Sequence, residues 1–183
     1  MGVNLTAASV LGLAVPAAVL AAALPARAAE GEKALSLSAS YATFTVEQGP
    51  ANMRESVSGQ GGILGLDLQR GLSDTFWLRA TVNGGVYDGP DGLTWAGAAT
   101  AGITYAFDVV RYVPYVEAGA GVLVVSGGGA ARAARPVMEL GAGLDVLESR
   151  SWSWGVGLRF DAFASRATYF TVGPRITWRW GYF

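Results

Sequence analysis

The sequence predicts an all-β fold: an eight-stranded antiparallel up-and-down transmembrane β-barrel, preceded by an N-terminal signal peptide. Three observations carry that prediction. After residue 28, segments with period-two alternation recur at regular spacing, and none shows helical periodicity. The links between them alternate between tight turns and longer stretches. The final segment sets Val172, Pro174, Ile176, Trp178, Trp180 and Tyr182 on one face and Thr171, Gly173, Arg175, Thr177, Arg179 and Gly181 on the other. A face carrying so many bulky apolar groups suits hydrocarbon better than water.

The N-terminus comes first. Val10 to Leu24 is nearly all Ala, Val and Leu, is interrupted by Pro16, and is followed by the A-x-A pattern Ala26-Arg27-Ala28. Residues 1–28 read as a signal peptide, with cleavage near Ala28, and residues 29–183 as one barrel domain. A single N-terminal membrane anchor is the competing reading.

Strand 1 is expected over 35–46, followed by a polar stretch from Glu47 to Gln60. Strand 2 covers 62–70 and ends at Gly71-Leu72-Ser73-Asp74. Strand 3 covers 75–87 and leads into Asp88-Gly89-Pro90-Asp91-Gly92. Strand 4 covers 93–107 and strand 5 covers 112–126, joined by a tight link. A Gly/Ala-rich loop, Gly127 to Arg135, precedes strand 6 (137–147). Glu148-Ser149-Arg150-Ser151 leads to strand 7 (152–163), and strand 8 covers 169–182. These lengths match the about 9–11 residues that a tilted strand needs to cross hydrocarbon. Short links on one side and longer ones on the other are the topology of a bacterial outer-membrane barrel, with both termini periplasmic. Closure pairs every backbone N–H and C=O, as hydrocarbon requires.

Composition narrows the function classes. The 183-residue chain has a formal net charge of −1, and removing residues 1–28 takes away only Arg27, so no nucleic-acid partner is implied. There is no Cys, which excludes disulfides and acylation at cysteine. There is no His, the commonest general base and metal ligand, and nothing in the sequence calls for a cofactor.

Aromatic residues gather near the strand ends. Phe76, Trp77, Tyr105, Phe107, Tyr112, Tyr115, Trp152, Trp154, Trp178, Trp180 and Tyr182 fall near the periplasmic ends. Phe44, Tyr87, Trp95, Phe163, Tyr169 and Phe170 fall near the outer ends. Mid-strand outward positions are Ala, Val and Leu, so two aromatic belts flank an aliphatic band. Trp77 stands apart, on the polar parity.

At this point the chain resembles the small outer-membrane β-barrel family, which includes the OmpA barrel domain, OmpX and OmpW-like proteins. The resemblance rests on the signal peptide, on Leu66 to Asp74 with its Gly-Leu-Ser-Asp turn, and on the last strand. That strand is similar to the family's assembly signal through Thr171, Gly173, Ile176 and Trp178, with Phe183 as the terminal aromatic. Phe183 is out of phase with Trp178, so the Thr171 to Trp178 portion is expected to carry the signal. The resemblance implies insertion by the barrel-assembly machinery and residence in a Gram-negative outer membrane, among its lipid and lipopolysaccharide. Lipid A palmitoyltransferase and deacylase resemble this architecture and use an essential His; with none here, no enzyme activity is expected.

An eight-stranded barrel has room inside only for side chains. The polar parity is expected to fill it, with glycines leaving space for Asp67, Arg79, Glu117, Glu139, Asp145, Arg159, Asp161, Arg175 and Arg179. Hairpin geometry is expected to bring Asp67 to Arg79, Glu139 to Arg159, and Arg175 to Arg159 or Asp161. Inward charges in a low-dielectric interior must pair, so a plugged lumen with a structural or surface-interaction role is the expected function. A narrow OmpW-like channel for a small apolar or ionic solute is the alternative. A soluble periplasmic lipocalin-like carrier, with the faces inverted, is a third reading. Arg132 and Arg135 are candidate contacts for lipopolysaccharide phosphates or an external partner, against the plainer reading of a solvated loop.

Overall fold

The computed structural model describes residues 31–48, 55–89, 92–107, 111–127, 130–163 and 167–181. The proposed signal peptide, Tyr182 and Phe183 lie outside them. Eight strands follow in chain order: β1 (Lys33–Gln48), β2 (Glu55–Gly71), β3 (Phe76–Gly89), β4 (Gly92–Ala106), β5 (Tyr112–Gly127), β6 (Ala130–Leu147), β7 (Trp152–Phe163) and β8 (Ala167–Trp180). Each pairs antiparallel with its sequence neighbours, and β8 pairs back onto β1, closing the barrel. The closing register sets Leu35 opposite Trp178 and Leu37 opposite Ile176. No sheet edge remains across the apolar band, which is what removes the edge-strand hazard.

Two hairpins are longer than their residues suggest. β2 starts at Glu55, paired with Gln48, so most of the expected polar loop between Glu47 and Gln60 is strand. β6 starts at Ala130, with Val125 opposite Ala133 and Leu123 opposite Arg135 across a register shift near Gly127. Arg132 and Arg135 therefore lie on a strand and not in a loop. The reason is environmental. A strand outside the hydrocarbon is under no demand to alternate, so the backbone ladder can continue without the period-two mark in sequence.

The side chains divide by parity. Leu64 and Met138 are 70% and 71% exposed on the outside, whereas Arg79 and Asp67 are 0% exposed within. Apolar groups face out and charged groups face in, the reverse of a lipocalin. The soluble-carrier reading fails on that point.

Of the expected belt residues, Phe76, Trp95, Trp152, Trp154, Phe170, Trp178 and Trp180 are exposed on the outer face. Trp152 sits directly opposite Trp178. Tyr105 is half-buried, edge-on to Phe76 at 5.0 Å and to Phe107 at 4.9 Å. Three aromatics placed near the belts are buried in the lumen instead: Tyr87, Tyr115 and Tyr169. Their parity decides it. Tyr115 is in phase with Glu117, and Tyr169 with Thr171 and Arg175, whatever the residue type suggests. Phe44 packs edge-on against Tyr87, with ring centroids 5.8 Å apart.

Two tight links at the end where β1 begins and β8 ends, β2–β3 and β6–β7, share one device. Ser73 Oγ accepts from the backbone N–H of Phe76 at 3.1 Å, and Ser149 Oγ accepts from that of Trp152 at 3.2 Å. In each turn the serine N–H also donates to the carbonyl of the same partner residue. A hydroxyl that mimics a backbone acceptor stabilises a short turn and fixes the hairpin register.

Candidate functional site: the lumen

The lumen has three tiers. The outer tier is an apolar and aromatic stopper built from Ala42, Ile63, Tyr87, Ala96, Leu123 and Tyr169, with Phe44, Ala98 and Val125 against it. Tyr87 and Tyr169 meet edge-on at 5.4 Å. These residues come from β1 to β5 and β8, so side chains from most of the wall meet on the axis.

The middle tier is an ionic network. Arg79 of β3 donates through Nη2 to Glu139 of β6, and its Nη1 lies 3.3 Å from Glu117 and 3.6 Å from Asp67. Arg159 of β7 donates through Nε to Glu117 at 2.7 Å, and its Nη2 is 2.8 Å from both oxygens of Asp67. Thr81 donates to Asp67 at 2.5 Å and Thr100 to Glu139 at 3.1 Å. Two guanidiniums thus bind three carboxylates, and the five groups come from five different strands. All of these groups except Arg159 are buried.

Glycines make this packing possible. A Cβ on Gly141 would stand 2.6 Å from Cγ and Oε1 of Glu117, and one on Gly119 would stand 3.5 Å from Arg79 Nη2. Gly157 likewise gives room to the Tyr115 hydroxyl, 2.7 Å from where its Cβ would lie.

The third tier, toward the chain termini, holds Asp145, Arg175 and Arg179. Asp145 lies 3.3 Å from Arg175 Nε and 3.6 Å from Arg179 Nη2. The Arg175 guanidinium sits 4.5 Å from the ring centroid of Tyr115 and donates to Ser36 and Thr177, each at 3.3 Å. Arg179 donates to Ser153 at 3.0 Å. Past this tier the lumen widens into a cavity of about 420 Å³ open to the terminal end.

All nine expected charges lie on the inner parity, but their partners differ in part. Asp67 meets Arg79, and Glu139 is 3.9 Å from Arg159, although its main bond is to Arg79. Arg175 pairs with Asp145, not with Asp161. The β7–β8 register sets Arg175 opposite Gly155 and Asp161 opposite Tyr169, which separates the two along the barrel. Asp161 is buried, with Glu139 directly across on β6. Tyr115 was absent from the expected lumen set. Its spacing of two from Glu117 was the signal that it faces inward.

In the last strand, Ile176 and Trp178 face outward while Thr171 and Gly173 face the lumen, and Phe183 lies outside the described residues. Among the described residues no cluster of carboxylates could hold a metal ion.

Neither a family model nor a curated protein matches the sequence. Solved structures do match the fold. Neisserial surface protein A superposes with a TM-score of 0.63 at 12% identity, over 81% of this chain and 99% of that one. Ail, the attachment invasion locus protein of Yersinia pestis, gives 0.55 at 14% identity, over 82% and 99%. The N-terminal barrel domain of Pseudomonas aeruginosa OprF gives 0.54 at 15%, over 78% and 97%. The chain has the fold of the small eight-stranded outer-membrane β-barrels.

Proposed function

We propose that this chain is an integral outer-membrane protein of a Gram-negative bacterium, with a closed lumen and a structural or surface-interaction role. The observation that carries the reading is the Arg79–Glu139–Glu117–Arg159–Asp67 network, which joins side chains of five strands across the axis. The aromatic stopper above it adds a second closure. A barrel blocked twice offers its surroundings its outer wall and its loops.

The residues support an export signal over 1–28, folding by the barrel-assembly machinery through the Thr171 to Trp178 segment, and contact with lipopolysaccharide around the wall. The β5–β6 hairpin supports an external contact: among the described residues, Ala130 and Ala133 to Pro136 pair with β5 and none of them with β7. Ail, which shares this fold, was also solved with the heparin analogue sucrose octasulfate, and that supports an outward-facing role here. The reading includes no catalytic role: Asp67, Glu117 and Glu139 are tied to arginines, and the sequence has no His or Cys.

Membrane fractionation tests the location. The reading predicts the protein in the outer-membrane fraction, with gel mobility that shifts on heating. Recovery in the soluble periplasmic fraction would contradict it.

A further inference from the structure

The cavity at the terminal end is larger than closure requires. Its volume of about 420 Å³ falls within the roughly 300–1,000 Å³ typical of small-molecule sites. Trp77, Phe107, Val113 and Leu147 give it apolar walls. This also accounts for Trp77, the tryptophan on the polar parity. The charges on the cavity are layered. Its floor is cationic, with Arg175 and Arg179 against the single carboxylate Asp145. Its mouth carries Glu32, Asp74 and Arg150, while Glu148 at the rim accepts from the Trp154 indole at 3.0 Å and lies 3.9 Å from Arg111.

The floor also holds unmet hydrogen-bonding capacity. Nη1 of Arg175, Nε2 of Gln69 and Oγ1 of Thr104 are buried without a hydrogen-bond partner, and all three residues line this cavity. Thr104, Asp145 and Arg175 are each at most 5% exposed. The groups are mostly donors. Buried donors left unpaired are costly, and a bound acceptor removes that cost. An Arg guanidinium held against an aromatic ring and offering a free N–H edge is a preferred receptor for a carboxylate.

We infer that this cavity binds a small zwitterion of amino-acid to dipeptide size, entering from the terminal side. The ligand carboxylate takes the floor, accepting from Arg175, Thr104 and Gln69. Its ammonium lies at the mouth beside Asp74, and its side chains rest on Trp77 and Phe107. The site is separate from the central network, so binding here requires no path through the barrel.

The test uses the refolded barrel in a nonionic maltoside micelle, with 15N-labelled tryptophan. The Trp77 indole resonance is identified by its loss in Trp77→Phe. L-alanyl-L-alanine is titrated against its N-acetyl and C-amide analogues. The expected result is a saturable shift of the Trp77 resonance by the free dipeptide, with binding at least about tenfold weaker for either capped analogue, the loss of one charge-assisted contact. The double variant Gln69→Leu/Thr104→Val removes two floor donors without touching an ion pair. It should weaken the dipeptide about tenfold while keeping the heat-shifted gel mobility of the folded barrel. No saturable shift would mean a water-filled vestibule and overturn the inference. So would equal binding of all three ligands, or an unchanged affinity in the folded double variant.

Discussion

Arg159 of β7 places Nη2 2.8 Å from both carboxylate oxygens of Asp67 on β2, joining strands 92 positions apart in sequence through the middle of the barrel. Arg79 approaches the same carboxylate from β3, at 3.6 Å, and holds Glu139 from the other side. Each arginine serves more than one acid, and each acid except Glu139 is also met by both arginines at 3.6 Å or less. Removing Arg79 therefore takes the main partner from Glu139 and leaves Asp67 and Glu117 to share the one guanidinium of Arg159.

Arg79→Ala is expected to destabilise the barrel by about 3–5 kcal/mol, because it leaves the buried Glu139 without its bonded cation. Arg79→Met/Glu139→Met should recover a large part of that loss, since a matched apolar pair leaves fewer unpaired charges. Reversible urea unfolding in lipid vesicles reads both. A double variant as unstable as Arg79→Ala would mean that Glu139 is not the partner that matters.

Two glycine substitutions separate interior space from backbone effects. Gly141→Ala would press on Glu117, whose Oε1 is already pinned by Arg159 at 2.7 Å and by Arg79 at 3.3 Å, so it cannot move aside. The expected cost is about 1–3 kcal/mol. Gly62→Ala points outward into open space and should change stability by less than about 0.5 kcal/mol. The same urea assay compares them, and equal effects would contradict the inward packing of Gly141.

The assembly signal is assigned to the Thr171 to Trp178 portion. Ile176→Asp/Trp178→Asp places charge on the lipid face, where Ile176 and Trp178 are now 42% and 44% exposed. It should abolish most of the heat-shifted, outer-membrane form. Deleting residues 181–183 should retain most of it. Fractionation of both variants checks the ranking, and the opposite order would refute the assignment.

What the sequence revealed follows from where lipid acts. β7 was expected at 152–163 and is found there, because its whole length alternates between hydrocarbon and lumen. The starts of β2 and β6 were missed because the sequences of Glu55–Gln60 and Ala130–Arg135 lack the period-two alternation by which the other strand segments were read. Tyr87, Tyr115 and Tyr169 were misplaced because residue type was weighed above phase. The lumen charges were legible as a set, since parity alone assigns them. Their pairing was only partly legible. Asp67 with Arg79 follows from one hairpin, but Arg175 with Asp145 depends on the stagger of β6, β7 and β8, which no single segment encodes.

The closed lumen is tested most directly by recording from the purified barrel in a planar lipid bilayer. With the ionic network and the Tyr87–Tyr169 stopper both in place, the membrane should show no discrete current steps under an applied potential. Reproducible unitary openings of the unaltered protein would contradict the closure and favour a narrow channel.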